Sequence, residues 1–236
     1  MATTITAGNS TNGGAAISSD NTGILELKTG TGSGTTGLTI NASQNTTLAG
    51  TLSAGAITSS GLVTGATGAL YPIVSGTAQT APFTDNTRAD FTGIPSWARR
   101  VTLIFDSVST SGSSVPQIRL GTLAGGIEAS GYSQANGQIV NAGATVASNS
   151  PTTGFGLNGN IWSSGVIVVG KLEFVLLNSS SNLWVVSGVL ARTDSGGLEL
   201  LGGSKSLSGT LDRIRVTTVN GTDTFDTGST INIFYE

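Results

Sequence analysis

The sequence predicts an all-β protein in two unlike parts. A Gly/Thr/Ser/Ala-rich N-terminal strand-and-turn segment, acting as a shaft or anchor, leads into an antiparallel β-sandwich of jelly-roll-like type. Three observations predict this. Charged residues make up 10% of the chain, and none occurs from Thr29 to Thr84. The chain carries 35 Gly, roughly twice the usual share, and with abundant Thr this disfavours helix. All three Trp, at 97, 162 and 184, fall in the second part, among short runs that alternate apolar and polar residues. The expected boundaries are 1–71 for the shaft or attachment segment, 72–82 for a linker and 83–236 for the sandwich domain.

In the first part, Ile24-Leu25-Glu26-Leu27 and Leu38-Thr39-Ile40 read as short strands. The clusters Thr29–Gly34 and Asn41–Asn45 read as turns. Each strand offers only two or three apolar residues per face, too few for a private core. Two readings fit: several copies share one core in a multichain shaft, or the segment is a flexible linker. From Leu48 to Ala69, apolar Leu48, Leu52, Ile57 and Leu62 return every four or five residues. Gly50, Gly55, Gly61, Gly65 and Gly68 oppose a helix there at about 1 kcal/mol each, so strand and turn is expected. Tyr71-Pro72 and Ala81-Pro82 mark the boundary, because the residue before Pro is driven extended.

In the second part roughly eight strands are expected. Val101, Leu103 and Phe105 share one face, and Leu172, Phe174 and Leu176 another. Leu183, Val185 and Val189 alternate in a third run. Ile214 and Val216 oppose Arg213 and Arg215, and Ile231, Ile233 and Tyr235 close the chain. The runs VPQIRL, GQIV and IWSSGVIVV are further strand candidates, and one helical turn is expected around Ser96–Arg99 after Pro95.

Composition also bounds the chemistry. With no His and no Cys, the chain has no Cys/His zinc site, no Ser-His-Asp triad, no Cys nucleophile and no disulfide. A net charge of −3 argues against an electrostatic nucleic-acid partner. No run of about 20 apolar residues is present, so no membrane insertion is expected. The start MATTITAGNS has neither a positive n-region nor an apolar h-region, so no secretory signal is expected.

Glycan cleavage requires paired carboxylates across a groove, and the candidates are Asp194 with Glu199 and Asp223 with Asp226. Both pairs lie in Gly-rich segments between strands, where a turn-capping Asp is the ordinary role. The run Asn220–Asp226 offers oxygen ligands for calcium but lacks the closing Glu of an EF-hand. Tyr132, Phe155 and Trp162 are the candidate glycan-contact aromatics, with core packing the competing role. Arg99-Arg100, and Arg213 with Arg215 on one strand face, are the basic clusters. Asp106, Glu173 or a neighbouring subunit are the expected partners of Arg213 and Arg215. The overall expectation is a protein with no enzymatic activity, metal or cofactor.

Three stretches resemble tailed-bacteriophage virion proteins of fibre or head-fibre type. They are Arg88–Pro95 (RADFTGIP), Arg99–Ser114 (RRVTLIFDSVSTSGSS) and the ending Ser206–Glu236. The leader LTINASQNTTLAGTLSAG is similar to the repetitive N-terminal sequence of phage fibres. The resemblance implies a homotrimeric appendage of the virion, assembled in the host cytoplasm. It would be a tail fibre for host-surface attachment, contacting a surface glycan or protein and held to other virion proteins by its N-terminal segment. A capsid-bound head fibre or decoration protein is the alternative, and a glycan-cleaving spike a further one. The resemblance transfers no catalytic or binding residue to a position here.

Overall fold

The computed structural model describes residues 24–29, 35–49, 63–65, 68–70, 73–139, 151–157 and 162–236. Leu52, Ile57, Val140 and Ile161, which enter the strand expectations above, lie outside the described residues. The chain divides into two compact units, Met1–Leu62 and Val63–Glu236.

In the first unit, β1 (Leu25–Thr29), β2 (Thr35–Ile40) and β3 (Thr46–Leu48) form an antiparallel sheet in that order. The turn between β2 and β3 is the one that the Asn-rich cluster foretells. The Asn41 side-chain oxygen accepts the N–H groups of Ser43 and Asn45, both at 3.0 Å. Leu27 pairs with Leu38, and Leu38 with Leu48, which sets one apolar row across the sheet. The two ends of that row are open, Leu27 at 46% and Leu48 at 40% exposure, and Leu38 between them is half-buried.

The second unit opens with a hairpin of β4 (Val63–Gly65) and β5 (Gly68–Leu70). Next come β6 (Val74–Ser75), β7 (Gln79–Thr80), β8 (Arg88–Thr92), β9 (Arg100–Val108), β10 (Pro116–Thr122) and β11 (Gly126–Ile127). They are followed by β12 (Tyr132–Ile139), β13 (Phe155–Gly156), β14 (Val168–Asn178) and β15 (Leu183–Arg192). The last three are β16 (Gly197–Ser206), β17 (Leu211–Thr218) and β18 (Thr230–Tyr235).

Two large antiparallel sheets result, one ordered β12-β16-β15-β14-β9-β18-β6 with β7 also on β18, the other β11-β10-β17-β8 with β13 on β10. One of the sheets is partly curled into a half-barrel. Both sheets feed a single hydrophobic cluster. Phe91, Ile118, Phe155, Ile214 and Val216 come from the smaller sheet, and Leu103, Phe105, Phe174, Trp184 and Ile231 from the larger.

Strand β9 shows why this core was readable. Val101, Leu103 and Phe105 are buried while Thr102 and Asp106 face outward. At Ser107 the backbone turns to φ 53°, and the ladder with β14 shifts register. That bulge flips the parity, so Val108 is buried instead of Ser107.

Strand β15 reverses the expectation. The face of Leu183, Val185 and Val189 points outward, and Trp184, Val186 and Leu190 enter the core. Both faces of this strand are apolar, so alternation alone cannot choose between them. The large Trp184 side chain, 2% exposed, takes the inside.

Two further segments are reshaped. The turn at Ser96–Trp97 forms no helix and is closed by the Ala98 N–H to the Pro95 carbonyl. The linker segment 72–82 supplies β6 and β7, which pair with the outer edge of β18. A buried strand such as β18 needs partners for its backbone groups on both sides, and these residues provide them.

Candidate functional site

The three aromatics nominated for glycan contact all lie in the core. Tyr132, Phe155 and Trp162 are 6%, 0% and 4% exposed, so none presents a ring face to a ligand. Tyr132 stands edge-on to Phe155 at 4.9 Å, and Phe155 packs against Phe174 at 5.9 Å. The polar ends are satisfied internally. Trp162 Nε1–H donates to Thr110 Oγ1 at 2.6 Å. The Tyr132 hydroxyl accepts the Leu120 N–H at 2.7 Å and donates to the Glu128 carbonyl at 2.9 Å. Burial pushes the Tyr132 phenol well above its ordinary pKa. Beside it the Lys205 ammonium pairs with Glu128 and lies 5.6 Å from the Tyr132 ring centre. The role of these aromatics here is packing.

The carboxylates serve as clamps. Asp194 binds Arg192 in a two-point pair at 3.2 and 2.5 Å and accepts the Ile167 N–H. Burial raises its pKa, but the Arg192 and Ile167 hydrogen bonds and the guanidinium charge outweigh this and hold it low. Glu199 is 1% exposed on the inner face of β16, opposite Gln138. Asp223 accepts the Ser114 N–H and the Asn220 side-chain amide, at 2.9 and 2.8 Å. Asn220 in turn accepts the N–H groups of Thr222 and Asp223. Asp226 accepts the Ser109 hydroxyl at 2.6 Å. The oxygens weighed for calcium are thus engaged in hydrogen bonds, local ones at Asn220 and long-range ones from Ser109 and Ser114. Among the described residues no group of three or more Asp and Glu is placed to hold a metal ion.

The basic residues find partners other than those expected. Arg213 pairs with Asp212, Arg215 with Asp90, and Arg100 with both Glu173 and Glu236. Arg99 donates to the Ser96 and Ala98 carbonyls. The register explains the choice, since Arg215 on β17 lies directly opposite Asp90 on β8, while Asp106 and Glu173 belong to the other sheet.

That pairing forms one wall of a site which the sequence reading missed. Two adjoining clefts of about 420 and 370 Å3 lie between the β6–β7 segment and β8 and share Gln79 and Asp90. The first is lined by Thr80, Pro82, Phe83, Asp85 and Arg88, and the second brings in Tyr235 and Thr92. Gln79 spans the gap, donating to the Asp90 carbonyl at 2.6 Å. Arg215 grips the Asp90 carboxylate at 2.6 and 2.7 Å, and Arg88 lies 2.9 Å from Asp85 and 3.4 Å from Asp90.

Hydrogen bonds from the Thr87 hydroxyl and amide hold Asp85 below the ordinary carboxylate range, with the Arg88 charge assisting. The Asp90 hydrogen bonds raise the Arg215 pKa. Two carboxylates and two guanidiniums therefore balance, and Asp85 is a hydrogen-bond acceptor at neutral pH, not a proton donor. The cleft offers amide, hydroxyl and ionic groups to a small polar ligand. Its sequence signal was faint: Asp85, Arg88 and Asp90 are the first charges after a long uncharged stretch. Compared with family models, curated proteins and solved structures, the chain gives no match.

Proposed function

We propose that this chain is a structural component of a bacteriophage virion: a homotrimeric, fibre-like appendage of tail-fibre type that attaches to the host surface and has no catalytic role. The N-terminal unit is its shaft or anchor, and the larger unit, with two sheets on one core, is its head, a sandwich of jelly-roll-like type.

The observation that carries this reading is the open leucine row of the N-terminal sheet. Leu27 and Leu48 are exposed at either side of Leu38, in a three-stranded sheet with too few apolar residues to bury one face alone. Such a sheet gains a core only when copies pool their rows. The resemblance of Arg88–Pro95, Arg99–Ser114 and Ser206–Glu236 to phage virion proteins points to the same role.

Light scattering on the full-length protein tests the assembly. A mass of about three times 23.5 kDa is expected, closed cyclic symmetry being the ordinary form of such assemblies. A stable monomer at micromolar concentration would remove the shaft. Gold labelling of intact particles then tests location. Label at the tail tip supports the attachment fibre, and label over the capsid assigns the chain instead to a head fibre or decoration protein.

A further inference from the structure

The two clefts that share Gln79 and Asp90 differ in what lines them. The second reaches down to Phe91, Ile94 and Ile233, all buried. The first is lined by ions of both signs, and these stand in water: the Arg88 and Asp85 side chains are 40% and 42% exposed. Each keeps hydrogen-bonding capacity that the chain does not use. A guanidinium has five N–H donors. Arg88 Nη2 lies 2.9 Å from Asp85 and Nε 3.4 Å from Asp90, which leaves the Nη1 donors for a ligand. Asp85 Oδ1 accepts both Thr87 bonds and Oδ2 faces Arg88, so Oδ2 retains a lone-pair site. Gln79 commits its amide nitrogen to the Asp90 carbonyl and keeps its side-chain oxygen as an acceptor.

The balance of charge decides which ligand these groups suit. Asp85 and Asp90 offset Arg88 and Arg215, and Arg215 is closed by its two-point pair with Asp90. An anion entering here meets two carboxylates as well as Arg88. A cation meets two guanidiniums, so neither is held by its charge. A neutral ligand with hydroxyl groups meets no such opposition. Each hydroxyl that donates to Asp85 or accepts from Arg88 forms a charge-assisted hydrogen bond, roughly twice as strong as one between neutral groups. The guanidinium and the carboxylate lie side by side, 2.9 Å apart at their closest approach, so two neighbouring hydroxyls of a sugar ring reach both at once. Pro82, exposed in the same cleft, supplies an apolar surface for the C–H edge of such a ring. The cleft lined by Ser113, Thr152 and Thr153 has hydroxyl groups but no ion, and lacks this grip.

We infer that the cleft between β7 and β8 is a binding site for a neutral carbohydrate. One hydroxyl of a vicinal pair accepts from the Arg88 guanidinium, its neighbour donates to the Asp85 carboxylate, and a third donates to Gln79 Oε1. At about 420 Å3 the cleft falls within the ~300–1,000 Å3 of small-ligand sites. Selectivity here is polar and needs no aromatic platform, in keeping with the burial of Tyr132, Phe155 and Trp162. The site gives the host-surface attachment proposed above a contact on the larger unit, but the inference rests on the cleft alone.

Saturation-transfer NMR on the full-length protein tests this, with the methyl glycosides of glucose, galactose and mannose as probes. Glucuronate and glucosamine serve as the anionic and cationic comparisons. Transfer to at least one neutral glycoside is expected, with an affinity that titration measures. Arg88→Met and Asp85→Asn should each weaken that affinity at least tenfold. Asn at 85 keeps an oxygen for the two Thr87 bonds, so this variant should retain the wild-type melting profile. Arg99→Met, outside the cleft, should bind as the wild type does. No transfer to any of the three glycosides overturns the inference. Binding that both cleft variants leave unchanged places the sugar elsewhere and overturns it too. Binding of glucuronate or glucosamine alone makes the cleft an ionic site, which also overturns it. None of these results touches the fibre reading, which the mass and the particle label decide.

Discussion

Replacing Tyr132 by Phe removes a buried hydroxyl and both its hydrogen bonds, the one from the Leu120 N–H and the one to the Glu128 carbonyl. The Tyr132 hydroxyl is the acceptor for the Leu120 N–H at 2.7 Å, deep between the sheets. Phe keeps the ring, so the edge contact to Phe155 and the position under Lys205 survive. Removal of one oxygen leaves a backbone donor without its acceptor where little water reaches, because Leu120 is 0% exposed. The expected loss is about 1–3 kcal/mol. Tyr132→Ala adds a cavity and should approach the roughly 3–5 kcal/mol of a buried aromatic deletion. Urea unfolding followed by fluorescence suits the measurement, since Trp162 and Trp184 are buried and report directly on the core. For Tyr132→Phe the midpoint should fall by roughly 0.5–1.5 M with the slope unchanged, taking a slope of about 2 kcal/mol per M. A Tyr132→Phe protein within about 0.5 kcal/mol of wild type would refute the account, for it would mean that Leu120 needs no acceptor from Tyr132.

Acid should destabilise the protein in a defined window. Burial raises Glu128, but hydrogen bonds from Lys205 and Ser208 and the Lys205 charge lower it further, and Asp194 is likewise held low by Arg192. A carboxyl whose folded pKa lies below its unfolded value contributes fully above the unfolded value, and the contribution is lost as pH falls through the folded one. The melting temperature should therefore hold from pH 7 to about 5 and fall below about pH 4.5, and Glu128→Gln should flatten that acid limb. At Gly112 a Cβ would sit 2.2 Å from Asp223 Oδ2, so Gly112→Ala should break the Asp223–Ser114 clamp and cost about 1–3 kcal/mol. The double variant with Asp223→Ala should lose less than the two single losses combined, as denaturation curves would show. Deleting Ile231–Glu236 removes β18, which carries the wholly buried Ile231 and Ile233 and pairs on both edges. Each Ile alone is worth about 2–5 kcal/mol, so insoluble protein is expected. A soluble product that melts cooperatively would make the strand a peripheral tail.

How far the sequence could be read depended on contrast between strand faces. On β9 and β18 the inward Val101, Leu103, Ile231 and Ile233 stand against Thr102, Asp106, Thr230 and Asn232, and period two settles the core. On β15 both faces are apolar, so the face was chosen by packing with the opposite sheet, which sequence does not display. Strands β6 and β7 have two residues each and carry no period; they exist because β18 offers a second edge. The aromatics were ambiguous for a related reason. A Tyr or Trp beside Gly, Asn and Ser has the composition of a sugar platform and equally of a core residue with a polar tip. Only the position of Thr110 under Trp162 and of Leu120 under Tyr132 separates the two. The cleft was hidden because Asp90 meets Arg215 by strand pairing across 125 residues, and Gln79 reaches Asp90 from a strand of the other sheet.

The distribution of charge joins these observations into one argument. The few ions of this chain are largely spent within it: Arg88, Arg100, Arg192, Lys205, Arg213 and Arg215 each lie against a carboxylate. Ions paired in this way hold loops and sheet edges in register but leave little net field to steer a partner. Apolar side chains stand open elsewhere, Leu27 and Leu48 in one unit and Val189, Leu198 and Leu200 on β15 and β16 in the other. These side chains meet water in the single chain. Each unit therefore presents an open apolar surface of its own. The association proposed above would depend through such faces on excluded water rather than on ion pairing, and would be insensitive to screening. Paired ions and open uncharged faces thus occupy different surfaces of this chain.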